Sequence, residues 1–278
     1  MRIGSHVSIR NGYFAAAKYM DSIGGKAFQY FPKNPRSLTV KEFNRQDAKL
    51  CHEFCVENNL VSIAHTPYPT SLTPSIDKKD LTIDSLLNDL EIADCCGSIG
   101  VVVHFGSQIS KTDPLASYQL MIEMLNHILS KWDGQTLLLL ENSAGKSGAL
   151  GTTLEELVQV RNLTDYPEKI GFCLDTCHAY ASGLWSGKNH EELWGKASEL
   201  GYLTSLKAVH LNNSKYDLGS GKDRHANIFK NGYIEKECFK NLFQLPNLAD
   251  IPFVLETPSD EGITHQEEIS MLYQFIQT

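Results

Sequence analysis

The chain has 278 residues, 42% of them hydrophobic and 21% charged, and contains neither an 18-residue apolar run nor a charged-then-apolar leader with a small-residue cleavage site. A transmembrane span and a signal peptide are therefore not expected, and the expected compartment is the cytoplasm. The formal net charge of -8 argues weakly against a nucleic-acid partner, and seven cysteines, an odd number in a chain of this size, do not form a secreted disulfide framework.

Short apolar or β-branched runs bounded by breakers predict strands, and stretches with helical periodicity predict the helices between them. In chain order the strand from Arg2 to Val7 precedes a helix from Tyr13 to Met20, and the strand from Lys26 to Phe31 precedes a helix from Val40 to Asn58. The strand from Leu60 to His65 precedes a helix from Asp80 to Cys96, and the strand from Ile99 to Phe105 a helix from Asp113 to Trp132. Thr136 to Asn142 is followed by a helix from Thr153 to Asn162, and Ile170 to Thr176 by one from His190 to Leu200. Leu206 to Asn212 is followed by a helix from Glu235 to Phe243, and Ile251 to Thr257 by the last helix, His265 to Gln277. Eight strands alternating with eight helices predict an α/β fold, a (β/α)8 TIM barrel, and the length suits one domain spanning 1–278. The runs Val101-Val102-Val103, Leu137 to Leu140 and Phe253-Val254-Leu255 are apolar without alternation, as strands covered on both sides should be.

Potential ligands recur where these runs end: His65, His104, Glu141, Asp175 and His178, His210, Asp223 and His225, and Glu256. In such a barrel the carboxyl ends of the strands share one rim, where the βα loops build active sites. Nine nitrogen and oxygen donors are too many for one ion and point to a cluster of two or three hard or borderline metals. Asp175-Thr176-Cys177-His178 sets two donors three residues apart at a strand-to-helix turn, and Asp223-Arg224-His225 does so across one residue. His6 ends the first strand and points to the same rim, in reach of substrate.

His52, His127, His190 and His265 lie among polar neighbours in predicted helices and are expected at the surface. Cys51 and Cys55 share a helix face as small buried hydrophobes, and Cys173 and Cys177 flank Asp175, with a metal role secondary. Gly145-Lys146-Ser147 is no phosphate loop, because Leu140 stands where the Walker pattern needs glycine. Lys33, Arg36, Lys146, Lys215, Lys222 and Arg224 fall in predicted loops beside the donors, a basic collar that suits a phosphate-bearing substrate. Four of the chain's negative charges are themselves proposed ligands, so net charge does not decide the partner.

Gly4-Ser5-His6-Val7-Ser8, Asn34-Pro35-Arg36, His65-Thr66-Pro67-Tyr68, Glu141-Asn142-Ser143-Ala144-Gly145, Asp175-Thr176-Cys177-His178-Ala179, His210-Leu211-Asn212, Asp223-Arg224-His225 and Glu256-Thr257-Pro258 together resemble the endonuclease IV family. The resemblance implies a zinc-dependent apurinic/apyrimidinic endonuclease with three Zn2+ ions, for which Mn2+ or Fe2+ can substitute. It implies one ion on His65, His104 and Glu141, a second on Glu141, Asp175, His210 and Glu256, and a third on His178, Asp223 and His225. Glu141 and Glu256 would then be the residues on which rate depends, beside a water held between two ions and acidified toward neutrality. The implied partner is double-stranded DNA with abasic sites or blocked 3′ ends, whose baseless nucleotide is flipped out; a monomer is the simplest expectation for a protein that wraps one face around a duplex. Arg36 and Tyr68 match the family's DNA-penetrating segments, with His6, Lys215 and Arg224 as further contacts.

The chain departs from the family at Phe105, where proline is common, and at Asn213, where aspartate is usual. Ile228-Phe229-Lys230-Asn231-Gly232-Tyr233 replaces a usually glycine-rich segment and is one residue longer. No ligand is lost, and the departures bear on the DNA-facing loops. Sugar isomerases of the xylose isomerase-like group share the barrel and a two-metal site; the third donor set, His178 with Asp223 and His225, discriminates against them.

Overall fold

Alternate residues of a strand face opposite sides of a sheet, and here that rule builds both the core and the site. A computed structural model describes residues 1–278 apart from 114, 246–247, 260–261 and 278. Its strands are β1 (Arg2–His6), β2 (Ala27–Tyr30), β3 (Val61–His65), β4 (Gly100–His104), β5 (Leu137–Glu141), β6 (Ile170–Asp175), β7 (Leu206–His210), β8 (Asn213–Ser214), β9 (His225–Ala226) and β10 (Pro252–Leu255). All but β8 and β9 close into a parallel barrel in the order β1-β10-β7-β6-β5-β4-β3-β2, as expected for the (β/α)8 fold; β8 and β9 form a small antiparallel ribbon.

Inside the barrel, Ala27, Ile63, Val102, Leu139, Cys173, Ala208 and Val254 pack as one buried apolar layer. Two residues further along the same strands, on the same inward face, come Gln29, His65, His104, Glu141, Asp175, His210 and Glu256. The apolar layer is the floor of the site, and each of its larger side chains contributes about 1.5–3 kcal/mol on burial. The opposite faces, among them Phe28, Val101, Val103, Leu138, Leu140 and Phe253, pack under the helices in the main core. At Gly4 an added Cβ would lie 1.5 Å from the Ala27 carbonyl oxygen, so β1 reaches its neighbour only with glycine there.

The helices are α1 (Tyr13–Ser22), α2 (Arg45–Glu57), α3 (Lys79–Cys95), α4 (Leu115–Ser130), α5 (Leu154–Leu163), α6 (Thr176–Ser182), α7 (His190–Glu199), α8 (Tyr202–Ser205), α9 (Lys236–Phe243) and α10 (His265–Ile276). The helix expected from Val40 starts only at Arg45, because the Asn44 side chain accepts the Gln46 and Asp47 amides and caps it there. Residue 114, inside the helix expected from Asp113 to Trp132, lies outside the described residues. Capping boxes at Thr153 with Glu156 and at Thr264 with Glu267 start α5 and α10. Neither α6, α8 nor the β8–β9 ribbon was expected from periodicity; α6 is too short for a periodic signal, and its start is set by a side-chain cap. Cys51 and Cys55 are buried core residues, as expected. Among the described residues no helix is long and apolar enough to cross a membrane.

Candidate metal centre

The strand register places His104 opposite Glu141 and Asp175 opposite His210. The nine expected donors fall into three groups, in each of which one donor atom per residue lies within 4.8 Å of the others. His65, His104 and Glu141 form the first; Glu141, Asp175, His210 and Glu256 the second; His178, Asp223 and His225 the third. Glu141 joins the first two, its Oε2 lying 3.5 Å from His65 Nε2 and 3.3 Å from His104 Nε2, and its Oε1 2.9 Å from His210 Nδ1. In the third, Asp223 Oδ1 is 3.3 Å from His178 Nε2 and 3.2 Å from His225 Nε2. The nine residues expected to be ligands are thus brought together, with His178 supplied by the first turn of α6 and the others by strands and the loops that adjoin them.

Three of the imidazoles, His65, His178 and His210, are each turned by a second bond that leaves the other nitrogen free for the pit. His65 Nδ1 donates to the Thr66 carbonyl at 2.8 Å and His178 Nδ1 to the Asn142 carbonyl at 2.9 Å, leaving Nε2 as the lone-pair donor in both. His210 is reversed. The Gln29 amide gives its NH2 to Glu256 Oε1 at 2.7 Å, so its oxygen faces His210 Nε2–H at 2.7 Å and Nδ1 is left for a metal. Asn212 holds the carboxylates in the same way, donating to Asp175 Oδ2 at 2.7 Å and Glu256 Oε2 at 3.1 Å. Gln29 was missed from the sequence, although a lone amide in the apolar strand Ala27-Phe28-Gln29-Tyr30 is a readable signal.

Three buried polar atoms in the pit, Glu141 Oε2, His178 Nε2 and His225 Nε2, have no hydrogen-bond partner. Such atoms are costly unless something binds them, and a cluster of imidazole nitrogens and carboxylate oxygens fits divalent ions. Electrostatics agrees. Burial opposes charge on His225, yet Asp223, Asp175 and Glu256 raise its imidazole to about 9. Burial also opposes ionisation of Glu141 and Glu256, but the facing imidazoles, His210 foremost, hold Glu141 well below the usual range and Glu256 at about 2. The pit carries an excess of negative charge that protons or metal ions can neutralise.

Around the pit the expected collar is only partly present. Arg36, Lys146, Lys222 and Arg224 are exposed and Lys215 is half-buried, but Lys33 is not on the rim. It is buried, with Nζ 3.1 Å from the equally buried Asp89 and 2.7 Å from the Ser85 carbonyl, because the loop after β2 folds over it. Two hollows of about 710 and 520 Å³ share His104, His178, Asp223 and Arg224. The first is flanked by Lys146 and Lys222, and the second by His6, Tyr68 and Lys215. Burial lowers the His6 imidazole to about 4, and its Nδ1 accepts from the Gln29 amide at 3.3 Å.

Tyr68 is 64% exposed, its ring edge-on to Phe31 at 5.1 Å, and its amide donates to the Pro35 carbonyl at 2.8 Å. The loops carrying Tyr68 and Arg36 are therefore tied together. His52 and His127 are exposed as expected, but His190 and His265 are half-buried. His265 lines the smaller hollow, Nε2 2.9 Å from the Thr257 carbonyl. It opens the last helix, and helices of this barrel begin on the site face, which is the signal that could have placed it.

Among the departures, Asn213 donates to the Ile228 and Ile234 carbonyls and accepts from the Ser214 and Ile234 amides. An aspartate could not make the two donations, so this asparagine fastens the altered 228–234 loop. Phe105 is fully buried against Gly151.

Residues 15–275 match the family described as the xylose isomerase-like TIM barrel. Over 278 residues, the whole of both chains, the sequence is 39% identical to the protein named "Probable endonuclease 4" of Symbiobacterium thermophilum. The solved structure of endonuclease IV from Thermus thermophilus aligns with a TM-score of 0.83 at 30% identity, over 99% of this chain and 97% of that one. A D-tagatose 3-epimerase-like protein aligns with a TM-score of 0.73 at 18% identity, over 100% of this chain and 97% of that one, a likeness of fold alone.

Proposed function

The chain belongs to the endonuclease IV family, and on that footing we propose that it is a zinc-dependent DNA repair enzyme that hydrolyses the phosphodiester 5′ to abasic sites, leaving a 3′-hydroxyl. Trimming of blocked 3′ ends is part of the same reading, since both reactions release a phosphoryl group from a 3′ oxygen. One domain over 1–278 carries it, as a monomer working in the cytoplasm on double-stranded DNA.

The observation that carries this reading is the joining of three donor sets into one pit. Two-ion sugar chemistry has no use for the third, so His178, Asp223 and His225 weigh against an isomerase. Imidazole and carboxylate donors suit zinc, and they also accept manganese or iron. Ions held by these residues would supply an acidified water at neutral pH and would neutralise charge on the phosphoryl oxygens.

The protein's own groups do the remaining work. Glu141 and Glu256 are held ionised, Glu141 between the first two sets and Glu256 against His210 at 3.3 Å, so both bind metal without first losing a proton. Arg224 and Lys215 stand beside the smaller hollow to receive phosphates on either side of the lesion. Neutral His6 offers a hydrogen bond there without adding charge. Tyr68, braced by Phe31, and Arg36, on the loop tied to it, are placed to fill the gap left by a flipped nucleotide.

The deciding experiment is incision of an end-labelled duplex carrying one synthetic abasic site, with metal-replete and chelator-stripped protein side by side. Cleavage 5′ to the lesion that leaves a 3′-hydroxyl and is lost on stripping is expected. No cleavage by fully loaded protein would overturn the proposal and redirect attention to sugar substrates.

A further inference from the structure

One thiol stands against the metal centre without a place in the three donor sets. Cys177 is the second residue of α6, fully buried between Asp175, which caps that helix, and His178. Its Sγ lies 3.7 Å from the carbonyl oxygen of Arg224, the residue before His225, so the thiol backs directly onto the strand that presents that imidazole. One donor atom each from Asp175, Cys177 and His225 lie within 4.8 Å of one another, as close as the members of the other sets. His225 Nε2 is buried and has no hydrogen-bond partner, and Asp175 Oδ2 is 3.6 Å from it.

We propose that Asp175, Cys177 and His225 form a fourth donor set, one that takes a thiophilic dication such as cadmium in preference to a hard, oxygen-seeking ion. A thiolate is a soft ligand and selects for soft metals, whereas the other three sets hold only nitrogen and oxygen. On binding, the Cys177 S–H proton passes to the buffer and a sulfur–metal bond takes its place, with no change of oxidation state. His225 cannot serve two ions through one Nε2, so occupancy of this set removes a donor from the His178–Asp223–His225 set. Asp175, a carboxylate, can bridge both sets as Glu141 does, so the loss falls on His225. The fourth set is therefore a trap by which a soft ion dismantles the centre. The inference rests on donor geometry and not on the reaction proposed above.

The test is titration of the metal-replete protein with cadmium, followed by the ultraviolet thiolate-to-cadmium charge-transfer band and by a count of resident metal released. The expected result is a band that saturates at one equivalent in the wild type and in C173S, is lost in C177S, and grows with release of resident metal. A band of wild-type size in C177S would overturn the proposal, as would no band in the wild type. Should C177S fail to fold, cadmium-113 NMR of the wild type decides: a resonance shifted as by one thiolate among nitrogen and oxygen donors supports the set, and only nitrogen- and oxygen-type resonances refute it. None of these readings depends on whether the protein incises DNA.

Discussion

Asp175 Oδ1 accepts the backbone N–H of His178 at 2.7 Å, so one candidate metal donor caps the helix that presents another. Its other oxygen, Oδ2, is 3.8 Å from His210 Nδ1. The two roles separate by substitution, since asparagine caps helices as well as aspartate but carries no charge. D175N should keep the cap and bind less metal by elemental analysis, but its NH2 then faces the Asn212 NH2 that Asp175 Oδ2 accepts, so its melting temperature should fall somewhat below that of the stripped wild type. D175A should lose metal and in addition about 1 kcal/mol of stability. Equal metal content in D175N and wild type would remove Asp175 from the centre.

Glu256 is held ionised beside His210 and steadied by Gln29 and Asn212. E256Q should bind an abasic duplex with near wild-type affinity but cleave it at least ~10³-fold more slowly, the scale expected when a metal site loses several kcal/mol of transition-state stabilisation. Single-turnover incision and a gel-shift titration together check this. Wild-type turnover by E256Q would be incompatible with the site as drawn.

If the braced ring of Tyr68 stacks in the duplex as proposed, removing it should cost about 1–3 kcal/mol of affinity for abasic duplex. Y68A should leave metal content unchanged. Fluorescence anisotropy at moderate salt, comparing damaged with intact duplex, reads the loss; an unchanged affinity would exclude the intercalating role.

Lys33 and Asp89 form a buried ion pair under the loop that carries Arg36. Breaking it leaves an uncompensated charge, so K33M should lose about 3–5 kcal/mol of stability, measurable by urea unfolding. The double variant K33M/D89L should recover most of that loss, because replacing both partners removes the desolvation problem. A double variant no more stable than K33M would show that the pair is not the source.

His225 should give the stripped protein a pH dependence of its own. The His225 imidazole, raised to about 9, binds its proton more tightly folded than unfolded, where the ordinary value is about 6.5. Its contribution is therefore fully present below about pH 6.5 and is lost as pH rises through about 9. Chelator-stripped protein should melt at a higher temperature near ~pH 6 than near ~pH 9.5, and H225N should show a shallower difference. In loaded protein His225 would be a neutral ligand, and metal uptake near ~pH 7.5 should release protons.

Much of the site was legible in the order of residues because a parallel barrel converts chain position into spatial position. A polar residue two places beyond an inward apolar one, such as His104 after Val102 or Glu141 after Leu139, falls on the same face one layer higher. Gln29 obeys the same geometry, two places after Ala27, but an amide does not mark itself as part of a metal centre; His265 opens the last helix and so carries no strand-end signal. Lys33 was misplaced for the opposite reason: a loop lysine reads as solvated until a partner 56 residues away, Asp89, is known to lie beneath it.

The sequence by itself determined the eight barrel strands, the barrel and where the nine candidate donors fall along the chain, because β-forming runs and their ends are local properties of the chain. Only the tertiary structure decided which nitrogen of each imidazole faces the pit, which donors share Glu141, and that Cys177 comes within reach of Asp175 and His225. Those facts depend on hydrogen bonds and contacts between residues distant in sequence, which no local pattern encodes.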